Sequence, residues 1–405
     1  MTNRGGSPWA DLPEEILEAI GSRIDHPINV LNFRSVCSSW RSAVRTPDFH
    51  HPIPPIEVRL PYPGDVDGVL VPSTLCFVEF HPPPIPNGDS TFAVAGGDDA
   101  PRGGGGWLIK VEETSRGKLQ LLNPISNLKI RYSPIQLSLL DFRPVQLTTS
   151  FRLRFQVGCP TFEINKVLPF PPSAASAVTV IAIFHEGRIG YWRNGDEHWT
   201  LLDGRSFDYD DVIIHRGQYY VTDRLGKLSL IDSSLRFDES YPSPRGGGQK
   251  NLVESGGDLY LVDRYLSGRR RNWKDVDDAI TNSFHPIRFL VGTRRGRKWN
   301  PRAVDFKVYK LDEEIGEWVE VKSLGDDGRV FVLTTECCFS APAAQIAGGK
   351  KDCIYYSDDD DYVARNMMRT ESIRVFQLGD GSIEEVKTLP RESNVFLPPG
   401  FRMEF

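Results

Sequence analysis

The residue types that do chemistry occur in this chain in contexts that weaken them. Carboxylates stand together at Asp210-Asp211, at Asp277-Asp278 and from Asp358 to Asp361. Such neighbours hold calcium, or divide acid and base roles, when a fold focuses them. Their flanking residues are turn formers, so the expectation is solvated loops. Glycine runs at Gly103 to Gly106 and Gly246 to Gly248 lack the Lys-Ser/Thr that completes a phosphate cradle, and read as flexible loops. The eight histidines are scattered, and none sits in an HExxH. Cys37, Cys76, Cys159, Cys337, Cys338 and Cys353 include no CxxC pair, so neither a zinc knuckle nor a disulfide framework is indicated. No Gly-x-Ser-x-Gly elbow offers a serine nucleophile. The expectation is a chain without catalytic residues, cofactor or metal, and so not an enzyme.

One charge feature stands apart. Arg269-Arg270-Arg271, Arg294-Arg295 and Arg297-Lys298 belong to ten Lys or Arg residues between Arg269 and Arg302, with Trp273 and Trp299 among them. The favoured reading is an exposed insertion, at about 265–303, between two strands; a nuclear import signal and a contact for an acidic partner are the other two. The whole chain, with 48 basic and 54 acidic residues and a net charge of -6, sets up no field that draws it to nucleic acid or an anionic membrane. Its longest nearly apolar run, Ala174 to Phe184, reaches 11 residues where a membrane span needs about 20, and reads as a buried strand. Met1 to Trp9 carries no apolar leader. Nucleus and cytoplasm are the expected places.

The elements that would position any site divide the 405 residues unequally. A helix is expected from Asp11, with Asp11 as cap, Pro13 in the first turn and Glu14 three positions on. Leu12, Ile16, Ile20 and Ile24 recur every fourth residue, with Leu17 beside them. Asp25-His26-Pro27 interrupts the pattern, and Phe33, Val36, Cys37, Trp40 and Val44 form the face of a second helix that ends at Thr46-Pro47. So small a unit has too much surface to bury both stripes, which leaves apolar area for a partner.

Leu12-Pro13-Glu14-Glu15-Ile16-Leu17 followed by Val36-Cys37-Ser38-Ser39-Trp40-Arg41 resembles the F-box motif in both halves, from about Trp9 to Val44. The resemblance implies that Leu12, Pro13, Ile16, Leu17 and Ile20 face a Skp-family adaptor. It further implies that Val36, Cys37, Trp40 and Arg41 hold the helices together and complete the contact.

Prolines crowd the chain from Pro52 to Pro86, and beyond them helical periodicity gives way to short strands between Gly, Asp, Asn and Pro. Three runs repeat: Gly217 to Asp223, Gly257 to Asp263, and Lys351 to Asp358. The first two are 40 residues apart and the third 95 further on, which reads as two periods with an insertion. Multi-stranded units at that period mark a β-propeller; a β-sandwich or other repeated-sheet fold is the alternative. The expected layout is an α+β multidomain chain: F-box at 1–50, a proline-rich junction with first strands at 51–86, and an all-β, propeller-like domain at 87–405. That domain is similar to the one of unknown function, sometimes described as kelch-like, that follows the F-box in many plant proteins. The resemblance implies a substrate-recognition subunit of an SCF-type ubiquitin ligase, joined through the adaptor to a cullin and through its β domain to an unidentified target. Two other readings stand beside it: a β domain that binds a small ligand or only regulates, and a propeller hydrolase or lectin.

Overall fold

The computed structural model describes residues 9, 12–24, 30, 33–44, 56–59, 67–80, 106–113, 119–125, 127, 129–131, 142–155, 164–170, 179–184, 187–197, 199–202, 208–244, 246–268, 301–334, 336–343, 350–357, 373–386 and 402–403. Helix α1 spans Glu14–Gly21 and helix α2 Ser38–Ala43, with a helical turn at 33–35 before the second. Pro13 is the N-cap of α1, extended at φ -56 and ψ 144, and its carbonyl accepts the Ile16 and Leu17 N–H at 3.1 Å. The helix therefore begins later than expected, with proline before its first turn; Asp11 lies outside the described residues. The single second helix is also corrected. Cys37 is extended at φ -162 and ψ 179 and splits the apolar series into two turns, which lets Phe33 and Trp40 fold onto each other.

Among the described residues the β region is five large sheets and one two-stranded pair. The first holds β1 (Ile56–Arg59), β2 (Asp67–Phe80), β3 (Gly106–Glu113), β4 (Leu119–Leu122) and, beyond a short β5 (Ile130–Arg131), β6 (Phe142–Phe155). Because β6 pairs β2 along almost its whole length, the other edge of β2 is shared by β1 and β3 in succession. The next three sheets are simple meanders. They are β7 (Ile164–Phe170) to β10 (Thr200–Leu201) through β8 (Thr179–Phe184) and β9 (Arg188–Arg193); β11 (Tyr209–His215), β12 (Gln218–Asp223), β13 (Leu228–Ile231) and β14 (Phe237–Tyr241); and β15 (Gln249–Ser255), β16 (Asp258–Leu266), β17 (Ala303–Asp312) and β18 (Glu317–Val321). The fifth follows the order β20-β19-β21-β22-β23, from β19 (Arg329–Leu333), β20 (Cys338–Pro342), β21 (Cys353–Ser357), β22 (Ile373–Gln377) and β23 (Ile383–Glu385), with β19 and β21 parallel. A last short strand, β24 (Arg402–Met403), returns to pair β5.

Strands β6, β7, β11, β15 and β20 neighbour one another in sequence around a ring, β20 closing on β6. This is a five-bladed propeller. No blade covers its own faces, and the apolar clusters accordingly run across the seams. Leu70 and Phe151 of the first blade pack with Val180 and Ile181 of the second and Val212 and Val221 of the third. Leu252 and Leu261 meet Leu228 between the third and fourth, Val262 and Phe306 meet Phe331 and Tyr356 between the fourth and fifth, and Leu75 and Phe77 meet Val330 and Phe339 where the ring closes.

Two expectations change here. The runs at 217–223 and 257–263 are equivalent second strands, β12 and β16, but the run at 351–358 is β21, one strand further out and in the very next blade. The 95-residue gap is thus one blade lengthened, by the connection between β16 and β17 and by a blade whose inner strand follows its second. The run at Ala174 to Phe184 contributes β8, where Val180 to Ile183 are fully buried; 174–178 lie outside the described residues.

Candidate adaptor-binding face

Helix α1 has two stripes one residue apart. Leu17 (1% exposed) and Gly21 face inward, onto Phe33 and Ala43, with Leu12, Ile24, Trp40 and Val44 partly buried around them. Gly21 has a packing reason: a Cβ there would stand 2.2 Å from Val44 Cγ2. Pro13, Ile16 (47% exposed) and Ile20 (37%) form the second stripe at i, i+3 and i+7, and Val36 (43%) also faces outward. Leu17, expected to point outward with this group, is instead the centre of the helical core, because a step of one residue turns a helix by about 100°. Val36, expected at the joint, differs in the opposite sense: its side chain stands partly exposed, while its N–H bonds the Phe33 carbonyl at 3.3 Å.

The remaining expected residues stand at the joint between the turns. The Trp40 ring packs tilted on Phe33, centroids 4.5 Å apart, and its indole N–H donates to the Trp9 carbonyl at 2.9 Å. Arg41 Nε donates to the Arg34 carbonyl at 3.2 Å while Arg34 donates back to the carbonyls of Arg41 (2.8 Å) and Val44, so two arginines clasp 33–35 to α2. Cys37 Sγ lies 3.0 Å from Ser39 Oγ, and that hydrogen bond, with the N–H of Trp40, lowers the thiol below its ordinary pKa. Among the described residues no helix is long and apolar enough to cross a membrane.

The propeller buries several of its charges. Asp210 and Asp211, expected in a solvated loop, lie buried on inner strand β11. Their carboxylates accept the N–H groups of Lys250 (2.7 Å) and Leu252 (2.8 Å), and so occupy donors that the inner edge of β15 cannot pair within its own sheet. Lys166 on β7 donates to Asp211 at 2.5 Å across the second seam. Burial opposes the Lys166 charge, but the field and hydrogen bond of Asp211 outweigh it and hold the ammonium above its ordinary pKa. Lys110 on β3 pairs with Glu336 across the closing seam and with Asn127 Oδ1 at 2.6 Å. Arg264 donates to the Ser357 carbonyl at 2.9 Å, and Ser255 bonds Ser340 at 2.8 Å, between the fourth and fifth blades. Gly246 and Gly247 are not a loose loop: both have positive φ, and a Cβ on Gly247 would fall 1.6 Å from Asp263 Oδ1. Asp277-Asp278, Asp358 to Asp361, Cys159 and the basic stretch 269–300 lie outside the described residues.

Comparison with known proteins matches this layout. An F-box-like family model covers residues 9–53, and the KIB1-4 beta-propeller model covers residues 85–379. The chain belongs to the KIB1-4 beta-propeller family. Among its curated relatives, F-box protein SKIP23 of Arabidopsis thaliana is 28% identical over 412 residues, covering 96% of this chain and 94% of the relative. F-box protein At4g35733 of the same plant is 28% identical over 408 residues, covering 96% and 98%.

In this KIB1-4 beta-propeller the motif residues at the amino end fall into two sets: the exposed apolar residues Pro13, Ile16, Ile20 and Val36, and a supporting joint of Leu12, Leu17, Cys37, Trp40 and Arg41. Sequence reading missed Gly21, Arg34 and the Trp9 carbonyl as parts of that joint. It also missed the lysines of the strands. Lys166 and Lys250 each stand one or two positions from fully buried aliphatics, Val167 and Leu252, and a charge inside a strand of that kind is the signal that would have found them.

Proposed function

We propose that this chain is the substrate-recognition subunit of an SCF-type ubiquitin ligase. Its F-box would bind a Skp-family adaptor, and through it a cullin, while the propeller would hold a target protein. The observation that carries the reading is the outward stripe Pro13, Ile16 and Ile20, with Val36, on a helical unit whose own core is already filled by Leu17, Phe33 and Ala43. β-Branched side chains standing in water on a helix gain nothing for that helix, whereas clustered beside a proline they form an apolar patch of the sort that marks a binding surface. The F-box-like match over the same residues, and the F-box names of the relatives, support the same partner. The mechanism is proximity: the chain supplies no nucleophile, and it raises the effective concentration of a target's lysines near a charged ubiquitin-conjugating enzyme. Nucleus and cytoplasm, where such ligases meet targets, are the proposed places.

The test is titration calorimetry with a purified Skp-family adaptor. Ile16→Asp and Ile20→Asp should each weaken binding at least about 100-fold, since an interfacial carboxylate facing apolar groups costs several kcal/mol, while leaving the helical circular dichroism unchanged. Leu17→Ala should instead destabilise the helical unit by about 2–5 kcal/mol. Undiminished adaptor affinity in both aspartate variants would refute the reading.

A further inference from the structure

We propose that Lys250 and Asp263 join in an intramolecular amide, an isopeptide cross-link between β15 and β16. The two residues face each other directly in the antiparallel register, and both side chains are 0% exposed. Lys250 Nζ lies 2.5 Å from Asp263 Oδ1 and 2.5 Å from the Gly246 carbonyl. The backbone closes over the carboxyl group at Gly247, where any Cβ would collide with it, and at Gly246 a Cβ would stand 2.7 Å from the Tyr265 hydroxyl. Among the described residues, Asp263 Oδ2 is buried without a hydrogen-bond partner.

A buried ion pair is costly unless every lone pair is answered, and here one oxygen is not. Burial pushes the Asp263 carboxyl above its ordinary pKa, against the pull of Lys250. Transfer of one proton along the hydrogen bond turns the pair into a neutral amine and a neutral acid with no heavy atom moved. The amine nitrogen then attacks Cγ. A Nζ–Cγ bond forms, one Cγ–O bond breaks, and the oxygen departs as water with the acid proton and one amine proton. The remaining amide N–H keeps the Gly246 carbonyl as its acceptor. Neither oxidant nor co-reactant is needed, and fixed contact replaces an encounter. Asp210 positions the attacker: its Oδ2 accepts the Lys250 backbone N–H at 2.7 Å, and its charge also acts on Asp263.

The other buried lysine pairs lack these conditions. Asp211 Oδ1 accepts from Val212 as well as Lys166, and Oδ2 from Leu252, so neither oxygen is free to leave without breaking a backbone bond. Glu336 is 15% exposed, within reach of water.

Intact-mass spectrometry of the full chain tests this directly. The expected mass is one water below that of the sequence, with Lys250 resistant to trypsin and a branched peptide joining positions 250 and 263. Lys250→Arg, which keeps the charge pair but cannot form the amide, should restore the full mass. A wild-type mass equal to the sequence, fresh and after prolonged warm incubation, would overturn the proposal. So would a water loss that persists in Lys250→Arg, which would assign it to a succinimide at Asp263-Arg264. Neither outcome bears on adaptor binding, so this proposal stands or falls apart from the proposed function.

Discussion

At the scale of single residues, the molecule separates side chains that touch a partner from those that shape the surface presenting them. Ile16 and Leu17 are adjacent in sequence and alike in chemistry, yet one is half exposed and the other buried. The motif spelled out both but not which was which, because every-fourth-residue spacing admits a stripe centred on either until the packing of Phe33 and Ala43 selects one. Asp223 is a second instance of context deciding chemistry. Its Oδ1 accepts the N–H groups of Leu225 and Lys227 in the turn after β12, while burial pushes its pKa above the ordinary 3.8. The folded chain therefore holds a proton there that the unfolded chain releases, and this contribution to stability is present at low pH and is lost as pH rises through the raised folded value. Asp223→Asn keeps the acceptor and removes the titration. Denaturant midpoints between about pH 4 and about pH 7 should fall less with rising pH in the variant than in the parent; equal slopes would show that Asp223 does not carry the linkage.

At the scale of elements, strand identity was readable wherever β-branched and aromatic residues ran between turn signals, as in β12, β16 and β22. Partnership was not. Strand β6 pairs β2 and β21 pairs β19, both out of chain order, and no local pattern encodes which edge a strand will take. One connection can be judged from its roots alone. β16 and β17 pair up to Leu266 opposite Ala303, and past that point Ser267 and Arg302 still exchange hydrogen bonds, N–H to carbonyl at 2.8 Å and N–H to hydroxyl at 3.0 Å. The strand ends already meet, as they would around a tight turn. Replacing 269–300 by a short Asn-Gly turn should therefore leave the fold intact and raise stability by up to about 2 kcal/mol, the closure entropy of about three doublings of loop length. Chemical denaturation measures it, and a loss of stability in the shortened chain would show that 269–300 contribute packing.

At the scale of the whole molecule, a propeller needs a closed ring, and among the described residues no disulfide joins the last blade to the first at their shared seam. The meeting of Leu75 and Phe77 with Val330 and Phe339 supplies apolar area, but area alone does not set register. The ion pair of Lys110 with Glu336 adds a fixed point, since a lysine 1% exposed tolerates few positions for its ammonium group. Glu336→Ala leaves that charge with Asn127 as its remaining hydrogen-bond partner among the described residues, and should lower stability by about 3–5 kcal/mol, whereas the pair Lys110→Met with Glu336→Gln should cost far less. The decisive readout is where the loss appears. If the pair closes the ring, hydrogen exchange in Glu336→Ala should rise together in β3 and in β19–β20, on both sides of the seam, before it rises in β11 or β15. Exchange that rises on one side alone would mean that Glu336 serves its own hairpin and that the apolar contacts close the propeller unaided.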